Sequence, residues 1–447
     1  MARSLIPIIA LTVFAAACGS SGDDTAADPS PVTSTTPGDP AAASTAAPGS
    51  LASTTSAPLT ASFRGVTEEV IRVGVLSLDW QALADLGVNL GRGTSDDLYQ
   101  AAFEAINDRG GVHGRMLELH PITVFPVGSV EQEAACIELT EDVGVFVLVG
   151  ATIGDSVLCY TEQHETAVVV AGARSEDRER RARAPYATLT GASAERARAF
   201  VEEMEALGVL DGATVGVVGS ADVDEATYRT VFDAFVDAGY DPVPGLIGAN
   251  QDDLVESANE QDVIYERMET EGVNVTVETT GVPLSMANAV ETGYQTDQWL
   301  FYAIMSGTAL RDAGVDLAYL DGAYGVANSL VGTSAQPDLR DDPAVAACLD
   351  DLDERTGREA MLDLDAPVND LSSYLAACSM ADILEEALTN AGPDLTNDSF
   401  QAGLEAIGDI ELPSYQTGRL EPGHLGAVDG LSLVEFDATT GIWELLD

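Results

Sequence analysis

INDRGGVHGRMLEL, residues 106–119, sets three glycines within five residues between a helical stripe and an apolar run. The residues ahead of it supply the helix. Thr94 or Ser95 suits its N-cap, and Asp96 and Asp97 put negative charge in the first turn, where the helix dipole favours it. Leu98, Ala102, Ala105 and Ile106 recur at helical spacing, so one face meets a core. Arg109 falls in the last turn, and Gly110 suits the left-handed position just beyond it. Gly111 then lets the chain reverse into Met116–Val124, an expected strand. A helix that returns this quickly to a sheet belongs to an alternating α/β fold.

The same alternation runs along the chain. IRVGVL (71–76), VGVFVLVG (143–150), AVVVAG (167–172) and TVGVVGS (214–220) are short apolar runs that suit buried strands, with further strands expected near 273–278, 299–304 and 321–326. Helices are expected over 131–142, near 155–165, and over 193–207 and 224–238. Such runs separated by amphipathic helices make parallel sheets covered on both faces. About 380 residues of this pattern exceed a single core and divide better into two doubly wound lobes.

Charge narrows the partners. Asp and Glu number 74 of 447 residues against 20 basic residues, a net charge of −54, and every basic residue is Arg. That surface repels nucleic acid and anionic headgroups, so neither is an expected partner. Acid enrichment with lysine loss fits a halophilic protein, because a Debye length of about 3 Å near molar salt mutes self-repulsion. Arginine-favouring codon use also explains the missing Lys, but not the acid excess.

Met1–Ala17 carries one Arg and an apolar run from Leu5 that is too short to span a membrane as a mature helix. It ends FAAACGSSGDD, where small residues precede Cys18. The segment is similar to a bacterial lipoprotein signal peptide over 1–17, which makes Cys18 the lipid anchor and export the expected fate. Residues 18–66, rich in Ala, Ser, Thr, Pro and Gly, read as a disordered tether. Four cysteines remain, an even number that favours disulfides in an exported chain; of three pairings, proximity favours Cys136–Cys159 and Cys348–Cys378.

IRVGVLSLDW with AAFEAINDRGGVHGRMLEL resembles the opening of the type I periplasmic solute-binding proteins, in particular the leucine/isoleucine/valine-binding branch. The resemblance continues through CIELTEDVGVFVLVG, where Cys136 and Cys159 sit where members often carry a disulfide. It extends to GATVGVVGSADVDEATYRTVFDAFVDAGYD and ACSMADILEEALTNAGPDLTNDSFQAGLEAIG. It implies two lobes joined by three hinge crossings, lobe one at 69–190 plus 325–425 and lobe two at 191–324 plus 426–447. It also implies a monomer on the outer face of the cell membrane. A small polar solute, an amino acid or a related compound, is then caught between the lobes and passed to an ABC-type permease. A lipid-anchored sensor using the same clamp is the alternative.

Ligand contacts are expected where loops follow strands. SLDWQ offers Asp79 and Trp80, and GATIGDSV offers Thr152 and Ser156 at a helix start. AGARSED offers Ala173, Arg174 and Ser175, with Arg174 suited to an anionic ligand. Lobe two offers Asp222, Glu278, Thr279 and Ser306. Thr152 and Ser156 also suit plain helix caps, and RSEDRERRARA (174–184) also suits a self-paired, solvated surface. Enzyme signals are missing from the sequence. There is no lysine for a P-loop or Schiff base, no GxSxG or HExxH, and His113, His120, His164 and His424 lack metal-ligand spacing. No catalytic residue, cofactor or metal is expected.

Overall fold

The computed structural model describes residues 59–85, 93–126, 130–191, 194–248, 254–281, 283–327, 329–364, 370–413, 415–428 and 430–446. The signal segment 1–17, the anchor Cys18 and the tether up to residue 58 lie outside the described residues. The order of elements is β1 (Val70–Leu78), α1 (Trp80–Asp85), α2 (Asp96–Asp108), β2 (Met116–Val124), α3 (Val130–Ile137), β3 (Val147–Gly150), β4 (Ala167–Arg174), α4 (Glu176–Arg181) and β5 (Tyr186–Gly191). There follow α5 (Ala194–Ala206), β6 (Val215–Ser220), α6 (Ala221–Asp237), β7 (Val243–Ile247), α7 (Leu254–Glu271), β8 (Val275–Glu278), α8 (Pro283–Thr292), β9 (Gln298–Phe301), α9 (Gly307–Asp312) and β10 (Tyr324–Ala327). The last part holds α10 (Pro343–Thr356), α11 (Leu371–Ala391), α12 (Asn397–Glu405), a small hairpin β11 (Gly408–Leu412) and β12 (Tyr415–Leu420), then β13 (Gly426–Val428), β14 (Ser432–Asp437) and β15 (Ile442–Leu445).

Two sheets carry the molecule. The first runs β13-β5-β4-β3-β1-β2 and is parallel throughout; the second runs β15-β14-β10-β9-β8-β6-β7. Strand residues alternate between two apolar faces, as the pleat requires. Val73, Val75, Val147, Val149 and Val169 pack with Leu98, Phe103 and Ile106 of α2 and Met380 and Leu384 of α11. Leu76, Leu148, Val168 and Val170 pack on the other face with Cys136, Leu139 and Tyr160. Burial on both faces explains why these strands read as continuous apolar runs. The second sheet is not wholly parallel as expected: β14 and β15 add an antiparallel edge, anchored by the buried Trp443, whose indole donates to the Met305 carbonyl at 2.7 Å.

The opening stretch folds as a tight return. Asn107 clamps the end of α2 to the start of β2, donating to the Leu117 carbonyl at 2.9 Å and accepting from the Leu117 amide at 2.7 Å. Gly110 and Gly111 have φ of 104° and 68°, and a Cβ on Gly111 would lie 2.0 Å from the Arg115 carbonyl oxygen. Glycine is required at both positions by conformation, and at Gly111 by space as well. Arg115, fully buried, donates to the carbonyls of Thr67 at 2.7 Å, Pro393 at 2.7 Å and Thr60 at 2.9 Å.

Three expectations need correction. Residues 59–66, expected within the tether, are held against the folded body: the Thr60 and Thr67 carbonyls accept from Arg115, and Arg64 donates to the His164 carbonyl at 2.8 Å. Those tethers are polar, so they leave no apolar signature. The boundaries expected at 324/325 and 425/426 fall inside strands: β10 pairs with β9 and runs to Ala327, and β13 pairs with β5 and runs to Val428. The helix expected near 155–165 is a 3-10 turn (Gly154–Ser156) followed by a π-helical turn (Cys159–Gln163), and 131–142 ends as a π-helical turn at Glu138–Val143. Both predicted disulfides are present, Cys136–Cys159 and Cys348–Cys378.

Candidate functional site

The two sheets share one winding order. Counting parallel strands from the start of each, both follow 2-1-3-4-5, as β2-β1-β3-β4-β5 and β7-β6-β8-β9-β10. Winding reverses between the first and third strands of each set, and the crevice beyond the carboxyl ends there is where ligands of open α/β sheets sit. In the first sheet that point lies between the ends of β1 and β3, the site of Asp79, Trp80, Thr152 and Ser156. In the second it lies between β6 and β8, the site of Asp222, Glu278 and Thr279. Chain order alone thus brings most candidates to two switch points.

Their side chains divide into two groups. Several are engaged in shaping loops. Asp79 accepts from the Ala82 amide at 2.8 Å, and Ser156 donates to the Ile153 carbonyl at 2.7 Å. Ser175 caps α4 by accepting from the Arg178 amide, and Ser306 caps α9 by accepting from the Ala309 amide. The Thr279 hydroxyl donates to the Val218 carbonyl at 3.0 Å. Glu278 is fully buried, accepting from the Thr280 amide at 3.0 Å, the Gly281 amide at 2.9 Å, and the Thr280 and Ser285 hydroxyls. Burial pushes its carboxyl up from the usual range, and these donors pull it back in part. Its role is to hold the turn into α8.

The second group is Trp80, Thr152, Ala173, Arg174 and Asp222. Trp80, half-buried, packs on the edge of the apolar face around Leu76 and Cys136. Thr152 is half-buried beside Gly172 at the end of β4, where its hydroxyl would lie 3.5 Å from an added Cβ. Ala173 and Arg174 end β4 and Asp222 lies in the first turn of α6; the side chains of these three lie outside the described ones.

Arg178 was not among the expected contacts. Its Nε donates to Asp155 Oδ1 at 2.9 Å, beside the end of β3, and its Nη2 donates to Asp224 Oδ1 at 3.0 Å, beside the end of β6. The side chain is only 4% exposed. Burial alone would lower its affinity for the proton, but Asp224, with Tyr186 and Asp155, more than offsets this and holds the charge on. The two switch points therefore meet across one guanidinium. Elsewhere, the Thr308 hydroxyl of α9 donates to the Leu364 carbonyl at 3.1 Å, joining the second sheet's helices to the loop after α10. Two contacts also tie the crossing segments together. Arg196 donates to the Gly430 carbonyl at 3.0 Å while stacking over Tyr302, and the Ser334 amide donates to the Trp443 carbonyl.

Cys136, Cys159 and His164 bring potential metal ligands within 4.8 Å of one another, but the two sulfurs are bonded together and have no thiolate to offer.

A model of the family described as periplasmic binding protein matches residues 70–440. The chain belongs to that family. It is an extracytoplasmic solute-binding protein by descent, in a family of binding proteins and not of enzymes. Solved structures similar to this binding protein include an ABC transporter substrate-binding protein from Desulfitobacterium hafniense in complex with leucine, at 17% identity, covering 85% of this chain and 100% of that one, with a TM-score of 0.54. A possible leucine/isoleucine/valine-binding protein from Rhodopirellula baltica is 16% identical over 88% of this chain and 98% of that one, with a TM-score of 0.59. A solute-binding protein of an ABC transporter from R. palustris, in complex with 4-hydroxybenzoate, is 13% identical over 85% and 96%, with a TM-score of 0.59. At these identities the likeness is one of fold. No curated protein matches the chain in sequence. Among the described residues no helix is long and apolar enough to cross a membrane.

Proposed function

We propose that this binding protein captures a small carboxylate-bearing solute between its two lobes and delivers it, chemically unaltered, to an ABC-type importer. The observation that carries this is the meeting of both switch points across Arg178, which sets the carboxyl ends of two sheets around a common crevice. The lobes move about the chain crossings after Gly191, Ala327 and Val428. Trp80 and Thr152 line the first lobe's side, with Arg174 and Asp222 as the charged contacts. The proteins solved with leucine and with 4-hydroxybenzoate favour a carboxylate on the ligand. Between those two chemistries, Ile153 and Gly154 interrupt the hydroxyl run that suits an amino-acid carboxylate, so a simple organic acid is favoured. Cys18 anchors the exported monomer by lipid, and the acidic surface keeps it soluble in salty surroundings.

The test is a thermal-shift screen of amino acids and of aromatic and aliphatic carboxylates at high salt. A true ligand at a hundred times its dissociation constant stabilises by about 2.7 kcal/mol, which raises the melting temperature of about 390 folded residues by about 3 °C. Flat melting curves across all carboxylates overturn the proposed ligand class.

A further inference from the structure

We propose that Arg178 is the latch of the clamp, its bond to Asp224 holding the two lobes in the closed arrangement. The inference rests on the reading of the crevice as a solute site. Arg178 rides on α4, in the connection between β4 and β5 of the first sheet, and Asp224 lies at the start of α6, packed on the second. Each partner is positioned in advance by its own lobe. The Arg178 amide is bonded to the Ser175 hydroxyl that caps α4, and its Nε is bonded to Asp155 of the same lobe. Asp224 interrupts the helical backbone of α6 with φ −163° and ψ 80°, accepting from the Thr227 amide at 3.2 Å and the Thr227 hydroxyl at 2.7 Å. Few side-chain rotors remain to be frozen when the lobes meet, so the bond forms at little entropic cost.

The two carboxylates on Arg178 differ in one decisive way. Asp155 travels with the arginine when the lobes part; Asp224 does not. Opening therefore breaks one bond of the pair and keeps the other, so the arginine stays in place and ready to re-engage. In the closed form Arg178 is almost wholly removed from water, and losing Asp224 leaves only groups of its own lobe, Asp155 among them, to stabilise the charge. Being buried, the bond is screened by salt far less than the acidic surface is. Solute affinity then scales with the closed population that the latch maintains.

The test uses the full-length chain with no solute added. Labels are introduced by chemistry that does not use thiols at the exposed positions Glu133 on α3 and Asp233 on α6, and the distance between them is read by pulsed electron resonance. Asp224→Asn keeps an oxygen for the Thr227 amide but loses the charge; its ratio of closed to open molecules is expected to fall about tenfold, a typical size for coupling between two states. Asp155→Asn and Thr227→Val, which loosen the positioning of one partner but leave the charged bond able to form, are expected to shift the distribution clearly less than Asp224→Asn, and Arg178→Lys, which keeps the charge but cannot span both carboxylates, to fall between. An Asp224→Asn distribution matching the native one overturns the latch. So does an equal shift in Asp155→Asn or Thr227→Val, which would trace the effect to local structure. Because no solute is present, a screen without hits leaves this result readable, and a hit in the screen with no Asp224→Asn shift removes the latch alone.

Discussion

Reducing both disulfides lowers the melting temperature by about 9 °C, the largest effect expected of any single treatment. The bridges close loops spanning 23 and 30 residues. Chain-entropy arithmetic gives about 3.4 and about 3.7 kcal/mol for these, together about 7 kcal/mol. Unfolding entropy for about 390 residues is about 0.8 kcal/mol per degree, which converts that loss to the stated shift. The bridges lie on opposite faces of the first sheet, Cys136 among Leu139 and Tyr160, Cys348 among Leu349 and Tyr374, so their losses should add. Among the described residues the second sheet and its helices carry no disulfide. Scanning calorimetry before and after thiol reduction reads the shift, and a shift below about 2 °C contradicts this.

Arg115→Met should cost about 3–5 kcal/mol, or about 4–6 °C. The guanidinium serves three carbonyls, and each buried carbonyl left without a donor costs about 1–3 kcal/mol, partly offset by no longer burying a charge. Arg115→Lys discriminates between charge and geometry: a single ammonium cannot reach Thr60, Thr67 and Pro393 in the directions the planar fork does. It should recover no more than about a third of the loss, one carbonyl of three. Full recovery by lysine would show that charge, not the fork, holds the segment 59–67 in place.

The central strands β1, β3 and β6 were legible because both their faces are buried, which writes near-continuous apolar runs into the sequence. The α2–β2 return was legible because only glycine tolerates its backbone at 110 and 111. Residues held by polar, long-range bonds were not. Leu59–Val66 buries Val66 and sets Phe63 against Phe146, too little to read as an element, and is tied down further by Arg64 and Arg115. In the run 174–184, Arg180 pairs with Asp177 and Arg181 with Glu162, the self-paired surface that interleaved charges suggest. Arg178 carries the same local signature, and only the fold reveals that its second carboxylate lies 46 residues away on the other sheet. The hydroxyls at 156, 175 and 306 were legible as loop residues, yet a cap and a ligand contact use the same residue types at the same place. The antiparallel hairpin β14–β15 escaped because β14 is only half-buried on one face, β15 is partly exposed, and neither carries a long apolar run.

The central claim is that two α/β lobes close on a small molecule and release it unchanged. It is tested most directly by adding the best solute from the screen to the native chain labelled at positions 133 and 233. The distance is read at saturation, and the bound compound is then recovered for mass analysis. The account predicts a single, shorter and narrower distance, one solute per chain, and a recovered mass identical to that added. An unchanged distance distribution at saturation, or a recovered compound of altered mass, contradicts it.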